Sequence, residues 1–383
     1  MAGTTPFKVR WGFIATGGIA AAFCKDLLID SSVRGAGDVV HEIAAVASRS
    51  KDRAQKFVEE MKIPSSPAVY GSYEELVKDP NVDVVYVATP HSHHFQNVML
   101  CLKAGKHVLC EKAFTVNAEQ TKILIDEAKK RKLFLMEAVW TRYFPICIQI
   151  RQLIRDGKIG EVLRVFADTS CGAPNAEEKF GVEHRMVNPD LAGGVLLDVV
   201  LYSLTWCFQT LYHTQPKADR QPPSQITSQM EVYPKTGTDE SVNILLTFPK
   251  SVPAGERRSQ AIATGSLRIT HNPGESEHVP CARIQGTKGE IEVYGMCYEP
   301  KAFKLIPTKE SGESEMTVKQ EFPGGARGMN WEADEVARCL RDGKLESSTM
   351  DHEESLVIMK TMDEIRKQGG LVYPEAIETT KLA

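Results

Sequence analysis

The sequence lacks the paired cysteines on which a disulfide or zinc framework is built. Its nine cysteines, from Cys24 to Cys339, are dispersed and none forms a Cys-x-x-Cys pair. An odd, scattered set inside apolar stretches reads as buried thiols in a reducing compartment. An excess of charge of one sign is missing too. Lys and Arg number 46 against 50 Asp and Glu, a formal net charge of −4, which gives no footprint for nucleic acid or an acidic membrane. No stretch is read as the roughly 20 apolar residues that a bilayer-crossing helix needs. Met1 to Lys8 carry no apolar run with a cleavage site, so no secretory signal is read there. Proline and glycine are not in excess, and no internal repeat or low-complexity tract is found. The expectation is a cytoplasmic globular protein. At 383 residues it is too long for one compact core, so two domains are expected.

What the sequence does contain is order. Over the first ~140 residues, strand-like and helix-like patterns alternate as in repeated βα units, the signature of a parallel sheet. Val9–Ala15, His41–Ala47, Val82–Ala88, His107–Cys110 and Leu133–Glu137 read as strands; Val82–Ala88 is apolar enough to be buried on both faces. Ile19–Leu28, Asp52–Met61, Phe95–Ala104 and Ala118–Lys130 read as helices, with Gly105 closing the third. After Trp140 the pattern changes. Ile146–Arg155 is one helix, but Val242, Ile244, Leu246 and Phe248 alternate with polar neighbours, and Ile226–Val232 alternates likewise. Half-buried alternation predicts a sheet covered by helices on one face. Glu332–Arg341 and Glu353–Lys367 are late amphipathic helices, and 213–223 and 249–258 read as loops. The predicted class is α/β: an N-terminal dinucleotide-binding (Rossmann) domain over 1–140, then a C-terminal α/β domain over 141–383 with a large, open, predominantly antiparallel sheet.

The cofactor reading starts at the turn Ala15-Thr16-Gly17-Gly18-Ile19 between the first strand and the first helix. Glycines there let the backbone approach a pyrophosphate, and the helix N-terminus supplies N–H groups and a positive dipole end. A tight β–α connection is the plainer alternative. The standard GxGxxG would begin at position 15 and end at position 20, both Ala here. After the second strand an NAD enzyme carries an acidic residue for the ribose 2′-hydroxyl. This chain has Ser48, Arg49 and, further on, Lys51 and Arg53. Charge-assisted bonds from these suit a 2′-phosphate, so NADP is the expected cofactor, unless the segment is only a solvated helix start.

Catalytic candidates sit at strand and helix ends. Thr89-Pro90-His91-Ser92-His93-His94 follows the third strand; without a thiolate or carboxylate it is not read as a metal site. Thr89, Pro90 and His94 are instead placed beside the nicotinamide ribose, with His94 starting the next helix. Lys112, at the carboxyl end of the following strand, faces the crevice where such sheets bind ligands, unless it is a surface lysine. Glu111 either pairs the ribose or holds that lysine. Asp198 and Tyr202 are four apart, on one helical face; an apolar helix can also bury such a tyrosine as core. Trp140, Arg142, Tyr143 and Phe144 suit a sugar pocket or domain packing, and His184 and Arg185 are candidates for the same pocket.

The segments ATGGIA, ATPHSHH, AGKHVLCEKA, MEAVWTRYFP and LLDVVLY together resemble the glucose–fructose oxidoreductase/inositol dehydrogenase family, over nearly the whole chain. The resemblance implies that Lys112 and Tyr202 carry catalysis with Asp198 in support. It implies oxidation of an aldose at C1 with NADP, D-xylose first, or else of a trans-dihydrodiol; a non-catalytic NADP sensor is the reading of another class. Three positions depart from the family pattern. Ala113 stands where proline follows the lysine, Val200 where glycine is usual, and Ser203 where proline follows the tyrosine. A valine at 200 is expected to narrow the pocket or shift the helix. An open sheet with one alternating face needs covering, so a homodimer through the C-terminal sheet is expected.

Overall fold

A computed structural model describes residues 5–172, 176–250 and 257–382. It divides into two compact units: Met1–Tyr143 with Phe322–Ser355 and Glu378–Ala383, and Phe144–Glu321 with Leu356–Ile377. In the first unit the order is β1 (Phe7–Ile14), α1 (Gly18–Leu27), β2 (Val39–Ala47), α2 (Lys51–Met61), β3 (Ala68–Tyr70), α3 (Tyr73–Leu76), β4 (Val84–Val87), α4 (His94–Lys103), β5 (His107–Glu111), α5 (Ala118–Arg131) and β6 (Leu135–Ala138). The six strands pair in parallel in the order β3-β2-β1-β4-β5-β6. That is the doubly wound dinucleotide-binding order, with its switch point between β1 and β4. All four residues of β4 are buried, as the continuous apolar run predicts for a central parallel strand.

The second unit contributes α6 (Pro145–Arg155), β7 (Val162–Asp168), α7 (Ala176–Lys179), α8 (Leu201–Leu211), β8 (Gln225–Val232), β9 (Asp239–Lys250), β10 (Arg257–Ser266), β11 (Pro280–Gly286), β12 (Gly289–Met296), β13 (Glu299–Pro307) and β14 (Met316–Lys319). Its eight strands run β14-β13-β12-β11-β7-β10-β9-β8, antiparallel except where β7 meets β10. Val242, Ile244, Leu246 and Phe248 are buried, and Phe248 meets Phe208 of α8 edge-to-face at 5.2 Å. The covered face is therefore the one the alternation marked. The loop expected over 249–258 is shorter than read: its ends belong to β9 and β10, and 251–256 lie outside the described residues.

The chain then returns to the first unit with α9 (Met329–Arg341) and continues into α10 (His352–Gly369). Helix α9 is fixed by a buried cluster. Asp334 accepts from Arg34 at 2.7 and 2.9 Å and meets His41 Nε2 at 2.9 Å, and the Trp11 indole donates to His41 Nδ1. Asp26 of α1 accepts the backbone N–H groups of Arg327, Gly328 and Met329 at the start of α9, which satisfies donors that a helix N-terminus leaves over. One expectation fails here. The stretch Pro189–Leu211 is long and apolar enough to cross a membrane, yet 94% of its apolar window is buried within the protein, as in a core helix.

Candidate active site

In the first unit, β1 ends in the turn that opens α1. Ala15 takes a positive φ of 78° and its N–H donates to Ala47 O, tying the ends of β1 and β2 together. Gly17 is the N-cap of α1, and no side chain caps the helix. A Cβ at Gly17 or Gly18 would meet nothing within 4 Å, and Ile19 is partly exposed. The N-terminal N–H groups thus face open space, which is the condition for holding an anion. Thr16 and Ser48 hydroxyls lie 3.1 Å apart across the turn. Arg49 and Arg53 are exposed on either side of Ser50, whose hydroxyl caps α2. Both guanidiniums act on Tyr73, and Arg49 also on His93. These groups fit a phosphorylated dinucleotide: uncapped helix, clear backbone, unburied cations.

The loops after β4 and β5 are stitched together by histidines. His91 Nε2 meets Lys112 O at 3.2 Å. His94 is fully buried, with one ring nitrogen 2.8 Å from Ala113 O and the other 2.8 Å from Thr89 O. Burial pushes its pKa down to about 4, so the neutral ring donates to one of these carbonyls. His94 does start α4, but its expected cofactor contact is corrected: both ring nitrogens serve the main chain. Thr89 is buried, its hydroxyl accepting from Asn97 at 3.2 Å, and Pro90 is exposed. Glu111 is also corrected as a ribose ligand. Its carboxylate accepts the Tyr86 hydroxyl and, at 3.3 Å, the Lys112 N–H, so it turns inward and braces the lysine through its backbone. Lys112 itself is half-buried, and the Lys112–Ala113 peptide is cis.

The aromatic group after β6 divides. Arg142 is 0% exposed, with Glu354 as its ion-pair partner and Thr349 O as a further acceptor. It is not the sugar donor that was expected, since a guanidinium so enclosed is a structural element of the first unit. Tyr143 and Phe144 are buried. Trp140 keeps a cationic neighbour, the Arg327 guanidinium 5.5 Å from its ring centroid.

In the second unit, Asp198 and Tyr202 sit where a π-turn (Leu196–Val200) runs into α8. Such turns are rare and recur at functional sites. Both residues are nearly buried, Tyr202 at 5% and Asp198 at 6% exposure. Arg185 reaches Asp198 at 3.2 Å. His184 lies tilted against Phe180, ring centroids 4.8 Å apart, and accepts the Met186 N–H on Nδ1; burial and Arg185 hold its pKa down. Two residues escaped the sequence reading. Tyr298, in the turn between β12 and β13, places its ring 5.6 Å from that of Tyr202; an isolated aromatic in a turn gives no local signal. Asp239 contacts the start of the π-turn, and the only hint was a helix lacking a capping residue of its own.

Residues 9–139 match the model of the oxidoreductase family with an NAD-binding Rossmann fold, and 147–292 that of the GFO/IDH/MocA C-terminal domain. A D-xylose 1-dehydrogenase (NADP(+)) of Hypocrea jecorina is 53% identical over 390 residues, covering 99% of this chain and 96% of that protein. The chain belongs to the GFO/IDH/MocA oxidoreductase family. A human trans-1,2-dihydrobenzene-1,2-diol dehydrogenase is 34% identical, with 96% of this chain and 98% of that protein covered. Among solved structures, a levoglucosan dehydrogenase in complex with NADH and levoglucosan shares the fold with TM-score 0.77 at 16% identity, over 95% of this chain and 97% of that one.

The departures from the GFO/IDH/MocA pattern have structural counterparts. Val200 does not narrow a pocket: it is fully buried, and a Cβ on Gly265 of β10 would come 2.6 Å from its Cγ2. The valine fills room that Gly265 leaves, which corrects the expected narrowing. Ser203, where proline is usual, donates to Thr264 O at 2.8 Å and bonds the Thr169 hydroxyl, pinning α8 to the ends of β7 and β10.

Proposed function

We propose that this chain oxidises an aldose at C1 with NADP+, D-xylose to D-xylono-1,5-lactone first among them, with Tyr202 as base and Lys112 assisting. The observation that carries the reading is the 53% identity, across 99% of the chain, to a protein named as an NADP-dependent D-xylose 1-dehydrogenase. The region 1–140 binds the dinucleotide and 141–383 the sugar. Bound NADP+ supplies the hydride acceptor.

The chain's own residues do the rest. The α1 N-terminus, through Thr16, Gly17, Gly18 and Ile19, holds the pyrophosphate. Ser48, Arg49 and Arg53 hold the 2′-phosphate by charge-assisted bonds, and Thr89 and Pro90 line the ribose side. Tyr202 takes the proton of the C1 hydroxyl as the C1–H bond breaks. A phenol has an ordinary pKa of about 10, so this role requires help from a cation, which Lys112 is proposed to supply. Lys112 also stabilises charge developing on the substrate oxygen. Asp198, held by Arg185, orients the helix face that presents Tyr202, and Trp140 and His184 border the sugar.

The outer face of the second sheet presents Phe166, Leu245, Ile262 and Tyr294 among polar neighbours, and a second copy of the chain is proposed to cover it.

The test is absorbance at the reduced-nicotinamide band, with NADP+ or NAD+ and D-xylose, other aldoses or a trans-dihydrodiol. Reduction of NADP+ by D-xylose is expected. Turnover of the dihydrodiol alone would move the chain to the activity named for its 34% identical relatives.

A further inference from the structure

The segment that carries Asp198 and Tyr202 begins without any of the residues that normally cap a helix. Ala192, Gly193, Gly194 and Val195 precede it, and no side chain of its own N-cap bonds it. A helix start leaves backbone N–H groups over, and inside a protein these need acceptors. The acceptor comes from 43 residues further on: Asp239 Oδ2, at the first residue of β9, receives the Leu196 N–H at 2.6 Å. Asp239 is 0% exposed. The fit depends on the glycine. A Cβ at Gly194, whose φ is +123°, would lie 1.8 Å from Asp239 Oδ1, so the carboxylate occupies the space that a side chain would need. Beside it, the Tyr373 hydroxyl donates to Gly193 O at 3.0 Å.

This anchorage bears on angle as well as stability. A π-turn is one residue wider than an α-turn. If Leu196–Val200 relaxed to α-geometry, everything beyond it would rotate by about one residue's worth, roughly 100°. Tyr202 follows the π-turn directly, so its hydroxyl would swing off target. We propose that Asp239 is a positioning residue: its buried carboxylate, seated over Gly194, locks the turn that sets the direction of Tyr202. The inference rests on Tyr202 being the base.

The test compares Asp239→Ala, Asp239→Ser and Asp239→Asn with the parent enzyme, reading kcat, KM, NADP+ affinity, melting temperature and the deuterium isotope effect with C1-deuterated D-xylose. Asp239→Asn keeps an acceptor for Leu196 and retains at least about a third of kcat. Asp239→Ala, folded at the assay temperature, loses ~10–100-fold in kcat, the scale of a small misplacement of a reacting group. Its NADP+ affinity is unchanged, and its isotope effect rises as hydride transfer becomes limiting. If the alanine variant does not fold, Asp239→Ser carries the comparison and falls between the parent and that loss. Parent-like kcat and isotope effect in the folded Ala or Ser variant would overturn the proposal, as would activity falling only in step with the folded fraction. Tyr202→Phe in parallel separates the claims: if it stays active, the base assignment fails whatever Asp239 does.

Discussion

Two helix starts in this protein solve the same electrostatic problem in opposite ways. Both α1 and the turn leading into α8 begin at paired glycines, lack a capping side chain of their own and start with N–H groups that the helix itself cannot satisfy, at a positive dipole end. Above Gly17 and Gly18 nothing lies within 4 Å of a would-be side chain. Above Gly194 the space is already filled by the Asp239 carboxylate. One start is left open for an anion that a ligand brings; the other is closed by an anion from the chain itself. A pair of glycines before a helix is therefore not in itself a ligand site. What separates the two is whether a buried carboxylate elsewhere in the fold has claimed the position.

The contrast can be broken or sharpened by substitution. The largest effect is expected for Gly194→Ala, where the new methyl meets Asp239 and the backbone holds a φ disfavoured for alanine. A loss of about 3 kcal/mol is expected, read as a lowered denaturation midpoint; parent-like stability would mean the carboxylate is not fixed there. Arg49→Ala comes next, since a charge-assisted bond to phosphate contributes about 1.5–3 kcal/mol. NADP+ affinity should fall ~10–100-fold in a fluorescence titration while NAD+ affinity holds. Equal losses for both cofactors would detach Arg49 from the 2′-phosphate. The smallest is Gly17→Ala. With open space at the Cβ, stability is expected to stay within about 0.5 kcal/mol, while NADP+ binding weakens roughly tenfold as the methyl enters the room reserved for the pyrophosphate.

The same contrast explains what could be read in advance. The cofactor end of the first unit is built from short windows: strand, glycine turn, helix, then Ser48 and Arg49 at the next strand's end, all within fifty residues. Local pattern suffices there, and the βα alternation gives the parallel sheet, whose strand order the structure supplies. The second unit's helix depends on partners spread along the chain: Arg185, Asp239, Thr264, Gly265 and Tyr373. Periodicity located Asp198 and Tyr202 on one face but gave no sign of the π-turn or of Tyr298. The family pattern misjudged Val200 as narrowing a pocket, because the space that accommodates the valine is created by a glycine 65 positions later. Arg142 misled for a related reason. A guanidinium among aromatics resembles a sugar donor until Glu354, brought in by the late return of the chain, is seen to enclose it. Local chemistry marks residues that wait for a ligand, and cannot show which of them the fold has already satisfied.

The most direct test of the central claim is the steady-state rate of Tyr202→Phe with NADP+ and D-xylose. The exchange removes one hydroxyl and keeps the ring that lies 5.6 Å from Tyr298. The expected result is a fall in kcat of ~100-fold or more, the scale of a lost general base, with NADP+ affinity unchanged. A variant whose kcat stays within about threefold of the parent would contradict the account and remove Tyr202 as the base.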